Sequence, residues 1–163
     1  MSVAPDLVLA DRVLRFVVYG IPIAQGSKTF VPTAAGPRSK ESNEAKLKPW
    51  RATISEQAAQ LVTQPLSGPV GVRVVFVFPR PKAHHRSGKH SHELRDDAPY
   101  WHVSAPDLDK LQRAIGDALA GVVLVNDAQI ARWLVRKTYG SKPQALIEIE
   151  QLDRPADVVS VFA

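Results

Sequence analysis

The chain has no cysteine, which excludes disulfides, thiolate-held zinc, iron–sulfur clusters and a thiol nucleophile together. No apolar run approaches the ~20 residues of a membrane-spanning helix, and no leading stretch has signal-peptide character. The expected compartment is therefore the cytoplasm, with no membrane partner. Aromatic residues make up only 7%, and no basic amphipathic helix carries a broad aromatic face. Internal repeats are missing, as is any linker between two cores. Residues 1–163 therefore read as one domain, long enough to bury a core without covalent staples.

What the chain does have is basic charge. Lys and Arg number 21 against 16 Asp and Glu, a net +5. The excess is uneven: residues 1–105 hold 14 basic and 8 acidic side chains (+6), whereas 106–163 hold 7 and 8 (−1). With a pI near 9.7, this asymmetry points to nucleic acid as the partner.

The apolar pattern predicts a strand over 12–19, ended by Gly20 and Pro22, and a second over 70–78, closed by Pro79 and Pro81. A helix is expected at about 50–63, opened by Pro49 and striped by Trp50, Ile54, Ala58, Leu61 and Val62. Another is expected at about 107–120, stopping at Gly121. Residues 122–125 and 129–138 are β-rich, and 145–152 alternate as a last strand. The order βαβαβββ gives an α+β fold, a mixed sheet with two helices and a core of about 12–152. Between these elements lie long basic loops at about 25–49, with a hairpin as the alternative there, and 80–105, the second holding all five histidines. A loose tail is expected over 153–163.

The chemistry concentrates in Pro106-Asp107-Leu108-Asp109-Lys110-Leu111-Gln112-Arg113 and, further on, Asn126-Asp127-Ala128-Gln129. At 100° per residue, Leu108, Leu111, Ile115, Ala118 and Leu119 form one apolar arc, while Asp109, Arg113 and Asp117 line up at i, i+4 and i+8 on the polar side. Asp127 follows a strand-like Val-Val-Leu-Val and is placed to reach the same pocket. Such carboxylates suit a hard divalent cation, and a basic surround suits a polyanion. Plainer readings exist. Ser104-x-x-Asp107 fits a capping box, Asp109-Arg113-Asp117 fits a solvated salt-bridge ladder, and Asn126-Asp127 fits a turn.

The pattern P-D-x-D-x-L-x-[KR]-x-x-x-D-A-L followed by [DN]-D-x-Q resembles the RusA family of Holliday-junction resolvases. It is met here by Pro106, Asp107, Asp109, Leu111, Arg113, Asp117, Ala118 and Leu119, then Asp127 and Gln129. The first strand running into Gly20-x-Pro22 and Gln25-Gly26-Ser27-Lys28 is similar to phage-type members. The resemblance implies a homodimeric endodeoxyribonuclease that nicks four-way junctions or branched DNA in recombination and repair. Mg²⁺ would be the cofactor, with Mn²⁺ as a substitute. It implies Asp107, Asp109 and Asp127 as metal-binding acids, Arg113 at a catalytic basic position, and Lys110 beside it. Asp117 is read as a support that orients Arg113, with completion of the acidic pocket as the alternative. Three departures stand out: Lys110 where Asn is common, Asn126 where an Asp is frequent, and Arg113 for Lys. The last keeps charge but not proton donation, since a guanidinium stays protonated.

The DNA contacts are expected from Lys28, Arg38, Lys40, Lys48 and Arg51 in the first loop and helix, and from Arg80, Lys82, Arg86 and Lys89 in the second loop. Phe30, Tyr100 and Trp101 are candidates to stack on bases. The histidines show no i, i+4 pair on a helix, so phosphate contact is expected of them rather than zinc. Strands 70–78 and 129–138 are candidates for pairing between subunits. Two competing readings remain at this stage: a DNA-binding module without catalysis, and a general or RNA-directed nuclease on the same scaffold.

Overall fold

Val, Leu, Phe and Tyr dominate Val13–Tyr19, a composition that favours a pleated, half-buried surface, and this segment is strand β1. The computed structural model describes residues 13–153 apart from 27, 32, 37 and 42, with the backbone alone for 28–31 and 38–41. Strands β2 (Lys28–Val31) and β3 (Arg38–Glu41) form a separate antiparallel hairpin. After it come α1 (Glu44–Ala59), β4 (Val70–Phe78), α2 (Leu108–Leu119), β5 (Ile130–Tyr139) and β6 (Gln144–Gln151). The main sheet runs β1-β6-β4-β5, with β4 and β5 parallel and the other pairs antiparallel. The expected α+β class, a mixed sheet with two helices, is what forms. Parallel neighbours need a crossover, and α2 supplies it.

The core lies between the sheet and the two helices. From β4 come Val70, Val72, Val74, Phe76 and Phe78; from β6, Ala145, Ile147 and Ile149. Helix α1 adds Leu47, Trp50, Ile54 and Ala58, and α2 adds Leu111, Ala114, Ile115, Ala118 and Leu119. Burying a Leu or Ile side chain contributes about 1.5–3 kcal/mol, so this arc fixes α2 rigidly on the sheet. Ser55 Oγ, donating to the Ala118 carbonyl at 2.7 Å, ties the helices together. Asp109, Arg113 and Asp117 are left on the exposed side.

Four expectations need correction. Helix α1 starts at Glu44, so Pro49 lies inside it rather than at its opening. The missing proline N–H removes one helical hydrogen bond, but burial of Leu47 and Trp50 on either side outweighs that loss. The loop expected over 25–49 is thus a hairpin plus the first turns of α1. Residues 122–125 are a turn, not a strand. The Leu119 carbonyl accepts from the Val122, Val123 and Leu124 amides at 3.0–3.1 Å, and Gly121 takes φ +77°. Val123 and Leu124 are fully buried, so this apolar run fills core, and two strands follow α2 instead of three.

The long stretch 80–105 is more ordered than its sequence suggests. It contains two short 3₁₀ turns, at Lys82–His84 and Gly88–His90, and a bridge between His85 and Leu94. Finally, β4 is flanked by β6 and β5 and has no free edge for a second subunit, whereas β1 and β5 are the edges. The side chains of Lys28, Phe30, Arg38 and Lys40, and the tail 154–163, lie outside the described residues.

Candidate active site

Asp107 sits just before the first turn of α2, its backbone extended (φ −66°, ψ 139°) and its carbonyl accepting the Leu111 amide at 3.1 Å. Its carboxylate caps no helix amide, so the capping-box alternative is not realised. Lys110 Nζ lies 3.1 Å from it instead. Asp109, one turn-residue further, is exposed. The segment ahead of these acids is held by two contacts that sequence reasoning missed. Lys137 on β5 donates to the Ser104 and Pro106 carbonyls at 2.7 and 2.9 Å. The Gln25 amide donates to the Lys110 carbonyl at 3.0 Å.

Asp127 opens a 3₁₀ turn, Asp127–Gln129, that leads into β5. Asn126 Oδ1 accepts the Ala128 amide at 3.0 Å, so the turn reading of Asn126 holds. Gln129 is the turn's anchor. Its Oε1 accepts from the Val125 and Asn126 amides at 2.7 and 3.3 Å, and its Nε2 donates to the Leu66 and Gly68 carbonyls at 3.0 and 2.9 Å. The turn rests on α2 at Gly116, where an added Cβ would lie 3.8 Å from Asp127 Cβ. Positions 109 and 116 share one helix face, seven residues or roughly 10 Å apart along the axis, with Arg113 between them. Asp109, Arg113 and Asp127 have no ion-pair or hydrogen-bond partner among the described side chains.

The alternative salt-bridge ladder does not form, since among the described residues neither Asp109 nor Asp117 pairs with Arg113. Asp117 is bound by Arg51 of α1, which also donates to Gln25 Oε1, so Asp117 braces the two helices rather than orienting Arg113. Arg51 is correspondingly occupied inside the protein.

In the second loop Arg86 pairs with Asp96 at 2.8 Å, and Arg80 both donates to the Pro99 carbonyl and lies 4.6 Å over the Tyr139 ring. Arg80, Lys82, His85, Arg86 and Ser91 line an open cleft of about 520 Å³. Lys82 and Lys89 are exposed and without an acidic partner among the described residues. The histidines divide. His102 is buried, stacked on Tyr139 (4.8 Å) and tilted against Phe78 (4.6 Å, 47°), and His84 meets Tyr139 edge-on. His90 bonds to Glu93 at 3.0 Å. Burial first, then the Lys137 charge, hold the His102 imidazole below its usual pKa. Tyr100 and Trp101 project into solvent, 77% and 62% exposed.

Among the described residues, no three Asp, Glu or His side chains gather tightly enough to hold a metal by themselves. The donor chemistry nevertheless fits Mg²⁺ or Mn²⁺, which take one or two carboxylates and complete their shell with water and phosphate oxygens. Exposed acids along one helix face, with an arginine between them and cationic loops around, suit a phosphodiester-cleaving nuclease. The family model described as Endodeoxyribonuclease RusA matches residues 21–150, and the chain belongs to that family. It is also 26% identical over 140 residues to the uncharacterized protein YqaN of Bacillus subtilis (strain 168), covering 85% of this chain and 96% of that one. No helix of the described residues is long and apolar enough to cross a membrane.

Proposed function

We propose that the protein is a divalent-metal-dependent, structure-selective endodeoxyribonuclease that resolves four-way DNA junctions as a homodimer. The observation that carries this reading is Asp109 and Arg113 exposed on one face of α2, with Asp127 on the turn packed at Gly116, all three without a partner among the described residues, and Asp107 beside the first. Side chains that only stabilised the fold would be engaged with it, as Asp117 is with Arg51.

Asp107 and Asp109 would hold Mg²⁺ at one end of the row and Asp127 at the other. When bound, the metal supplies a polarised phosphoryl oxygen and a water of lowered pKa. Arg113, midway along the row, faces the position of the scissile phosphate and stabilises its growing negative charge. Its guanidinium does not release a proton, so it acts by charge and hydrogen bonding alone. Lys110 offsets the Asp107 charge across 3.1 Å and shares the basic duty.

The duplex arms are gripped by the cleft around Arg80, Lys82 and Arg86, by Lys89 and by Lys48, with Lys28, Arg38 and Lys40 of the β2–β3 hairpin on sequence grounds. Arg51, like Arg86 with Asp96, also has intramolecular partners, Asp117 and Gln25. A two-fold substrate calls for a two-fold enzyme, and the β1 and β5 edges offer strands for pairing.

The test is a mobile four-way junction incubated with protein and Mg²⁺, and separately with EDTA. Paired symmetric nicks that vanish with EDTA are expected. Retardation without nicks in either case would make the protein a binding module, and equal cutting of linear duplex or single-stranded RNA would make it a general nuclease. Asp109→Asn should abolish nicking while junction binding stays intact or tightens, because one repulsive charge is gone. Cutting at a near wild-type rate would remove Asp109 from the metal set.

A further inference from the structure

We propose that Lys137 is a positioning residue that sets the acid-bearing turn at Asp107 and Asp109. This rests on the nuclease reading of that turn and names a residue outside it. Along β5 the side chains alternate. Leu134 and Arg136 are exposed on the outer face, while Trp133 and Val135 pack on the core. Lys137 falls in register with Trp133, Val135 and Tyr139, on the face that otherwise takes apolar or aromatic side chains. Its half-buried ammonium carries three donors. Two are met, by the Ser104 carbonyl at 2.7 Å and the Pro106 carbonyl at 2.9 Å.

Those carbonyls belong to the segment that delivers Asp107, and the second is bonded directly to it. Residues 103–105 are exposed and carry no regular secondary structure, so packing gives this approach little support of its own. The strand ammonium ties it to the rigid sheet, and the start of α2 inherits that position through the Asp107 carbonyl and the Leu111 amide. A wandering turn would present Asp107 and Asp109 in many geometries, whereas a pinned one offers them together. Groups that orient metal-binding side chains without touching the metal commonly change affinity 10–100-fold when removed.

Lys137→Met keeps the stem and deletes the donors; Lys137→Arg keeps charge and donors. Three quantities are measured on full-length protein without DNA: hydrogen exchange of the Leu111 amide, Mn²⁺ affinity by paramagnetic titration, and the thermal midpoint. The methionine variant should exchange Leu111 about tenfold faster and bind Mn²⁺ about tenfold more weakly. Its midpoint should stay within a few degrees of wild type, and the arginine variant should recover most of the Mn²⁺ affinity. Unchanged Leu111 exchange in the methionine variant overturns the proposal, as does Mn²⁺ affinity equal to that of wild type. If wild type itself takes up no Mn²⁺ and cuts no junction, the nuclease reading fails, while Leu111 exchange still decides whether Lys137 sets the turn. Should the methionine variant not fold, Lys137→Gln, with a shorter stem, is read by the same three measurements.

Discussion

Replacing Gln129 with leucine removes four hydrogen bonds at once while roughly keeping the side-chain volume. The amide links the turn carrying Asp127 to the loop before β4, accepting from Val125 and Asn126 and donating to Leu66 and Gly68. Only the bond to the Leu66 carbonyl is part-buried, and losing it should cost about 1–1.5 kcal/mol. The other three involve exposed residues whose backbone groups water can serve, so each is worth about 0.5 kcal/mol. The sum is about 2.5–3 kcal/mol. For a domain of this size that is a fall of roughly 5–12 °C in the melting midpoint.

Gln129→Glu should be at least as damaging. It keeps the acceptor side but turns a carboxylate oxygen toward two carbonyls. Urea denaturation at neutral pH gives the free energies, and junction cleavage under saturating Mg²⁺ reports whether Asp127 has moved. A loss below about 0.5 kcal/mol for Gln129→Leu would mean the amide is not the anchor of this turn.

Two further outcomes follow from the loop 80–105. His102 is buried against Tyr139 and Phe78, with Lys137 and His84 nearby, and its folded-state pKa is lowered by burial first. The unfolded chain therefore takes up a proton near 6.5 that the folded chain resists. Stability is full above that pH and declines as pH falls below it. Denaturation free energies at pH 7.5 and 5.5 should show this decline in wild type, and His102→Phe should flatten it; an equal slope in both would exclude His102 as its source. Lys82→Ala and Lys89→Ala should each weaken junction binding and reduce the magnitude of the salt slope by about 0.9. Fluorescence anisotropy across a salt series measures this, and an unchanged slope would take that lysine off the DNA.

Much of the architecture is legible in the chain because its signals are local. β4 runs from Val70 to Phe78 as its apolar run and closing prolines foretell, and α2 shows its apolar arc and its stop at Gly121. Locally ambiguous signals misled. Val122-Val-Leu-Val has strand composition, yet its first three amides donate to the Leu119 carbonyl, and Val123 and Leu124 are buried in the core. Pro49 marks a helix opening in sequence but lies within one, because tertiary burial of Leu47 and Trp50 overrides a local preference.

The candidate site divides the same way. Residue type, order and the family resemblance single out Asp107, Asp109, Arg113 and Asp127 as candidates, whereas the pattern alone also fits a helix cap, a salt-bridge ladder and a turn. Which of them meet, and what holds them, only the packed structure decided. Arg51 and Asp117 are 66 residues apart, and Lys137 and Pro106 are 31 apart. Contacts at such separations depend on how helices and strands dock, through summed apolar burial across the whole core, and no local pattern encodes that sum.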